Sequence, residues 1–126
     1  AALAMREAGN MHFDPDGAGI EPLYAADGLI SDLSSMLAKS MALKKSTLFL
    51  KNPKHENAGP AGPIMNTHMH TGADLEAVLN FTAMLLRGED PLLPVPADVH
   101  ELFCGPVDGK AGVRVVEHLE RYFFPG

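Results

Sequence analysis

The segment from Thr71 to Gly88 constrains the fold more than any other part of the chain. Thr71 is a good helix N-cap, and Asp74 three residues later resembles the acidic partner of a capping box. Gly88 after Arg87 is a typical C-terminal stop. Between these signals, one helix face is predicted from the spacing of Leu75, Val78, Leu79, Thr82, Leu85 and Leu86. The segment therefore predicts a helix and an α-rich fold.

Four other stretches are also predicted to be helical. A long apolar stripe runs from Leu23 to Leu43, after Pro22 in a favourable first turn, and Gly28 predicts a bend or a start near Asp27. Residues 111–124 favour a final helix, whose apolar face holds Val115, Val116, Leu119, Tyr122 and Phe123, although Val113-Arg114-Val115 could instead enter a strand. Shorter helices are predicted over the Ala-rich residues 1–8 and over residues 97–103, before Gly105.

Two short strands complete the predicted elements, at Thr47–Leu50 and at Ile64–His68. A length of 126 residues with 46% hydrophobic content fits one core. The prediction is an α-rich α+β fold in a single small domain over residues 1–126, with about three main helices and two short strands. Three segments are predicted to be irregular: the N-terminal residues 1–20, the Pro/Gly loop 52–63 and the Pro-rich loop 89–96.

The charge and composition of the chain narrow its partners. The formal net charge is -6, and the only basic cluster is Lys44-Lys45, so a nucleic-acid partner is not expected. No apolar run approaches the ~18 residues of a membrane span, and residues 1–7 lack the features of a signal peptide. Cys104 is the single cysteine, which excludes an internal disulfide. We expect a soluble, cytoplasmic protein, with helix faces apolar enough for a homo-oligomer or a protein partner.

The strongest chemical signal is the pair His68 and His70. On an extended segment, side chains two residues apart point to the same side, so the two imidazoles would form half of a transition-metal site for Zn, Fe, Cu or Ni. His100 is the predicted third ligand, and the acidic candidates to complete the site are Asp74, Asp98 and Glu101. The simpler interpretation is that one imidazole bonds locally while the other faces water.

The sequence Asn66-Thr67-His68-Met69-His70, preceded by Pro63-Ile64-Met65, resembles the first metal-binding motif of amidohydrolases. That family carries its site on a (β/α)₈ barrel, which needs about 200 residues or more. This chain is shorter than such a barrel and has no matching later motif. The resemblance is therefore confined to fewer than ten residues.

A second resemblance is to the metal-binding motifs of cupins. Gly62, five residues and then His68-Met69-His70 match the opening of the first motif, and residues 95–100 resemble the stretch that delivers the last histidine. The resemblance implies a small β-barrel with His68, His70, His100 and Glu76 as metal ligands. Glu76 lies one residue late, and Asp98 stands where the family has glycine. The helical period of residues 72–87 favours a helix instead of the implied strands.

Three further patterns have simpler explanations. Residues 14–19 begin like a calcium loop, but Ala18 and Ala25 occupy positions that require oxygen ligands, so a plain turn is favoured. His100 lies four residues before Cys104, yet a half-buried structural thiol is favoured over a nucleophile pair. The seven methionines suggest a copper site beside the His pair, but core packing explains them first.

Two hypotheses for the function remain. We favour a small accessory or binding module, because no complete catalytic constellation can be assembled from the sequence. The alternative is a metal-dependent protein or small enzyme that uses His68 and His70 together with His100. The sequence leaves open whether the chain is an enzyme, and the metal content of the purified protein separates the two hypotheses.

Overall fold

The centre of the fold is a short parallel β-sheet. The computed structural model describes residues 7, 9–15, 20–55 and 58–126, and within them the sheet has three strands in the order β1-β2-β3. The strands are β1 (Gly28–Ser31), β2 (Ser46–Leu50) and β3 (His70–Gly72). Leu29 pairs with Thr47, and Leu48 pairs with His70. This register places His70 beside the middle of β2.

Helices surround the sheet and make up most of the described chain. The predicted α-rich α+β class is confirmed, but the predicted count of three main helices and two strands is too low. The strand predicted at 47–50 and the helices predicted at 97–103 and 111–124 are confirmed. The helices are α1 (Ile20–Ala25), α2 (Ser35–Ala42), α3 (Gly62–His68), α4 (Leu75–Arg87), α5 (Ala97–Cys104) and α6 (Ala111–Phe123).

The single long helix predicted from Leu23 to Leu43 is wrong, because strand β1 interrupts it. A fresh helix start after β1 is set by Ser34, whose hydroxyl accepts a hydrogen bond from the amide of Met36. Gly28 is a strand residue rather than a helix bend, and a Cβ there would lie 2.9 Å from Leu85 Cδ1. The apolar residues of β1 satisfy a helical spacing by coincidence, and pairing with β2 decides their conformation.

The two faces of β2 carry two separate clusters of buried side chains. Phe49 faces α2 and α3, where it packs in one cluster with Leu37, Met41, Met65 and Met69. The neighbouring residue Leu48 points the other way, because side chains alternate along a strand. On that second face Leu48 packs with Phe81 and Met84 of α4. The sheet therefore separates an α2/α3 layer from an α4 layer.

Residues 62–68 form α3, so the strand predicted at Ile64–His68 is wrong. Gly62 and Pro63 begin the helix, and proline is favourable in a first turn because its missing N–H has no intrahelical partner to lose. The prediction of an irregular loop at 52–63 is largely wrong for its described residues, since Pro53–His55 and Gly59–Ala61 are short 3₁₀ helices and Gly62 and Pro63 belong to α3. The loop at 89–96 is irregular as predicted and contains a cis Leu93–Pro94 peptide.

Helix α4 confirms the predicted helix, but its N-cap and its buried face differ from the prediction. Asp74 is the N-cap, accepting a hydrogen bond of 2.9 Å from the amide of Ala77, while Thr71 lies in β3. Gly88 ends the helix in the left-handed conformation, with φ of 71°. The buried side chains are Phe81 and Met84; of the predicted stripe, Val78 and Leu85 are partly buried against them, and Leu75, Leu79 and Leu86 are exposed. The strands that a cupin resemblance requires at this position are replaced by α4.

Among the residues that the structure describes, no helix is both long and apolar enough to cross a membrane. Residues 9–15 are irregular, as predicted for the N-terminal segment. The helix predicted over residues 1–8 falls outside the described residues except at Glu7. The turn predicted around residues 14–19 is described only as far as residue 15.

Candidate functional site

His70 lies on the α4 side of the sheet, at the start of β3. Its backbone pairs with Leu48, and both side chains therefore project toward α4. The imidazole packs against Phe81, with ring centroids 5.5 Å apart. The strand fixes the position of the ring and the aromatic contact limits its rotation. This imidazole is held in place by the core on one side.

Asp90, in the loop after α4, is the direct partner of His70. The distance from His70 Nε2 to Asp90 Oδ1 is 2.8 Å. Because an ionised carboxylate only accepts hydrogen bonds, the imidazole donates from Nε2. The same carboxylate oxygen accepts a second bond, of 2.9 Å, from the amide of Leu92. The Asp90 side chain is only 8% exposed, so this is a shielded, charge-assisted contact.

Three hydrogen bonds determine the charge state of Asp90. Burial raises the pKa of its carboxyl, but hydrogen bonds from the Ser46 hydroxyl, the His70 imidazole and the Leu92 amide outweigh that effect. The pKa of Asp90 therefore lies below its ordinary value of 3.8. The carboxylate remains ionised at neutral pH and orients both Ser46 and His70.

The order of these three groups limits their chemistry. In a serine nucleophile triad, the imidazole lies between the hydroxyl and the carboxylate and removes the hydroxyl proton. Here the Asp90 carboxylate bonds to both Ser46 and His70, and it occupies the middle position. The arrangement orients an imidazole and ties a loop to the sheet. It does not present Ser46 to a base that could activate it.

An open cavity of about 430 Å³ adjoins this cluster at the amino ends of the strands. Its polar wall is acidic, with no Lys or Arg side chain among its lining residues. Ser46 and Asp90 belong to both the cluster and the cavity wall. The cavity is lined by Asp27, Ser46, Leu85, Gly88, Glu89, Asp90, Leu93 and Pro94.

The prediction of a His pair requires both imidazoles on one side of an extended segment. His68 and His70 do not share such a segment. His68 is the last residue of α3, while His70 begins β3, with Met69 between them as the helix C-cap. The period of two applies only to extended backbone, so it does not relate these two imidazoles. Met69 is buried against Phe49 on the α2/α3 side of the sheet.

His100 lies in α5, which packs on the α2/α3 side of the sheet. Its Nε2 atom is buried, and it has no hydrogen-bond partner in the described part of the chain. A cavity of about 340 Å³ beside it has walls from α2, α5 and the residues that follow each helix: Ala42, Lys44, His100, Glu101, Gly105, Pro106 and Val107.

The predicted metal ligands are therefore distributed over different layers. His70 contacts Phe81 of α4, and His100 lies with Ala42 and Lys44 at the end of α2, on the opposite side of the sheet. Among the described residues, no group of three or more His, Cys, Asp or Glu side chains is arranged to hold a metal ion. Of the acidic candidates, Asp74 is occupied as an N-cap, and Asp98 and Glu101 are exposed on α5. Glu76, the carboxylate implied by the cupin resemblance, is exposed in the first turn of α4.

Cys104 has the environment of a packing residue. It belongs to the α2/α3 core cluster, and its Sγ lies 3.9 Å from the carbonyl oxygen of Ala38 in α2. Burial raises the pKa of the Cys104 thiol, which disfavours the reactive thiolate.

Sequence reasoning missed the bond between His70 and Asp90. The amide of Leu92 bonding back to Asp90 is an Asx turn, a pattern that the local sequence Asp90-Pro91-Leu92 is typical of. The turn was therefore readable from the sequence. The pairing with an imidazole 20 residues earlier was not, because it depends on which face of the sheet α4 covers.

The second candidate site is a surface rather than a cavity. Every residue of α6 is exposed, although one side of the helix is apolar. We call this side the α6 face; it consists of Val115, Val116, Leu119, Tyr122 and Phe123. The opposite side carries the charged residues of the helix, and Arg114 is paired with Asp108 at 2.9 Å. The α6 face therefore presents a continuous apolar strip to solvent.

Comparisons with known proteins found no matching family model, no matching curated protein and no matching solved structure. Function is therefore inferred from the contacts and exposures of the described residues. The two features that carry such an inference are the cluster around Asp90 and the α6 face.

Proposed function

We propose that this chain is a binding module that associates with a protein through the α6 face. The observation that carries the proposal is the exposure of that face: Tyr122 is 72% exposed and Phe123 is 70% exposed. Large aromatic side chains contribute strongly when they are buried at interfaces and little when they are left in water. A strip of five exposed apolar residues on one helix, two of them aromatic, is the kind of surface that marks a protein contact.

The stability of α6 supports the same proposal. The helix has 13 residues and no buried side chain. Isolated helices of about this length are marginal in water, and helices in proteins gain most of their stability by packing an apolar face. Docking the α6 face on a partner would supply that packing.

The cluster around Asp90 fits a module without its own catalytic group. Its carboxylate is committed to hydrogen bonds with Ser46, His70 and the Leu92 amide. The bonds hold the loop after α4 against the sheet. The role of the cluster in this proposal is structural.

Affinity capture from cells that express the tagged chain tests the proposal. Leu119→Glu places a carboxylate in the α6 face, and Arg121→Glu places a carboxylate on the opposite, charged side of the helix. We expect Leu119→Glu to lose the proteins that the wild-type chain captures and Arg121→Glu to retain them. Equal capture by both variants would show that the α6 face is not the binding surface.

The metal-dependent alternative has one observation in its favour. A buried imidazole nitrogen without a partner, as at His100 Nε2, is a group that a metal ion would satisfy. In this second proposal His100 binds a transition metal (Zn, Fe, Cu or Ni), and His70, which lies across the sheet and bonds to Asp90, is not a ligand of the same ion. Elemental analysis of the untagged protein tests it: near-stoichiometric metal that is lost in His100→Ala supports it, and metal-free protein rejects it.

A further inference from the structure

Helix α4 has a second apolar side that the fold leaves uncovered. Its inner side is buried against the sheet through Phe81 and Met84. We call the outer side the α4 stripe; it consists of Leu75, Leu79 and Leu86, which are 70%, 60% and 84% exposed. These residues recur at the spacing of one helix face. The predicted core side of this helix included these three leucines together with Val78, Thr82 and Leu85, of which Val78 and Leu85 do pack on the core.

The composition of α4 is that of a helix covered on both sides. The polar residues of α4 are few: Glu76, Asn80 and Arg87 share one narrow arc, and the exposed Thr82 borders the α4 stripe. A helix that is apolar around most of its circumference belongs in an interior, whereas a surface helix shows a single apolar stripe. The sheet covers one side of α4, and the other side lacks a partner in the described chain.

We infer that the α6 face of one copy of this chain packs on the α4 stripe of a second copy, and reciprocally, in a symmetric dimer. The inference rests on the proposed function, since it names the partner of the α6 face. Both helices have 13 residues and are therefore about 20 Å long. A reciprocal arrangement covers both apolar surfaces of each copy with one twofold contact, which is the commonest oligomer symmetry.

The exposed area is sufficient for such a dimer. With roughly 150 Å² for a fully exposed large apolar side chain, the two surfaces together expose on the order of 750 Å² per copy. A stable interface of standard size buries about 800 Å² on each partner. Either surface alone falls well short of that area, so pairing of α6 with α6, or of α4 with α4, is a weaker solution.

The connection between α5 and α6 excludes docking of α6 on the α4 of the same chain. Cys104 ends α5 against Ala38, on the α2 side of the sheet. To dock on the outer side of α4, the chain after Cys104 would have to cross both the sheet and α4. At ~10 Å per layer, this distance is about 30 Å. The connecting residues 105–110 span at most ~20 Å, and the contact of Asp108 with Arg114 shortens the free part. A second copy has no such restriction.

Disulfide trapping between single-cysteine variants tests the inference directly. In a Cys104→Ser background, one variant carries Leu79→Cys and the other carries Leu119→Cys. We expect the mixture to form disulfides between the two variants under mild oxidation. Disulfides only between two Leu119→Cys copies would overturn the inference, and so would an intrachain disulfide in a monomeric double variant.

Sedimentation measurements separate the failure of this inference from the failure of the proposed function. We expect Leu79→Lys to raise the dimer dissociation constant at least about tenfold, since it removes a buried leucine from each of the two copies. Asn80→Lys, on the polar arc, should leave the constant unchanged. Wild-type chain that stays monomeric, or association that survives Leu79→Lys, would overturn the dimer. Loss of captured proteins in Leu119→Glu would then still support the proposed function.

Discussion

The imidazole of His70 donates a hydrogen bond of 2.8 Å to the carboxylate of Asp90. His70 is the first residue of β3, and Asp90 lies in the loop after α4. Helix α4 follows the other end of β3, so the chain has returned along the sheet when it reaches Asp90. The bond therefore closes a loop of the chain around α4. β3 has only three residues, and this contact adds to the backbone pairing with Leu48 that holds its first residue in the sheet.

Asp90→Asn should destabilise the protein by about 1–3 kcal/mol, because an amide replaces the shielded carboxylate that accepts hydrogen bonds from Ser46, His70 and the Leu92 amide. Urea denaturation at neutral pH measures the change. Glu89→Gln, at the exposed neighbouring position, is the matched control and should have little effect. Equal stability of the two variants would contradict the structural role of Asp90.

The stabilisation from Asp90 should disappear in acid. Hydrogen bonding lowers the pKa of Asp90 in the folded protein below 3.8, so the contribution is fully present above that value. It is lost as the pH falls through the folded pKa, because the folded state then takes up the proton. Denaturation at pH 5 and at about pH 2.5 should therefore show the gap between wild type and Asp90→Asn narrowing. A gap that is constant with pH would count against this assignment.

Gly72→Ala should destabilise the protein by about 1–3 kcal/mol through overpacking. A Cβ at this position would overlap the Cβ of Ala77, at the first turn of α4. Ala77→Gly removes the obstructing carbon and costs about 1 kcal/mol by itself. The double variant should be more stable than the sum of the single changes predicts, as a thermal or chemical denaturation cycle can show. Strict additivity would mean that the two positions do not touch.

Thr47→Val should cost about 1–3 kcal/mol, because it leaves the buried hydroxyl of Ser40 without the partner that lies 2.7 Å away. Adding Ser40→Ala should cost less than it does in the wild type. Thr82→Val is the control, since Thr82 is exposed and bonds only within its own helix. Comparable losses for Thr47→Val and Thr82→Val would argue that the buried pair has no special importance.

Lys44→Gly should stabilise the protein by about 1 kcal/mol. Lys44 has φ of 56° at the end of α2, a left-handed conformation that disfavours a residue with a Cβ. Lys45→Gly should destabilise instead, since it removes a side chain that bonds to the carbonyl oxygen of Tyr24 at 2.9 Å. Melting temperatures of the two variants should shift in opposite directions.

Strong local signals predicted the elements that they encode. The cap and stop around α4, the β-branched and apolar residues of β2 and the stripe of α6 all appear at or near the predicted positions. The predictions fail where pairing in the sheet determines the conformation of a segment. The chain from Gly28 to Ser31 has a helical spacing of apolar residues, yet it pairs with β2 as a strand. Parallel pairing joins distant segments and leaves no periodic trace in either of them.

The candidate site was predicted only in part. His70 was singled out, but its partner Asp90 was not, because the bond between them requires α4 to cross to the far side of the sheet. The exposed leucines of α4 were taken for its core side for a related reason. Both sides of this helix are apolar, and periodicity alone does not say which side meets the sheet.

Helices α3 and α4 cover opposite faces of the sheet, and this arrangement determines at which edge a further strand could be added. Connections between parallel strands are right-handed, so a strand that follows a helix on the α4 side belongs beyond β1, not beyond β3. In the described chain β1 is an edge strand, with one row of backbone N–H and C=O groups turned outward. The edge beside Gly28–Ser31 is therefore the position at which an additional parallel strand would extend the sheet.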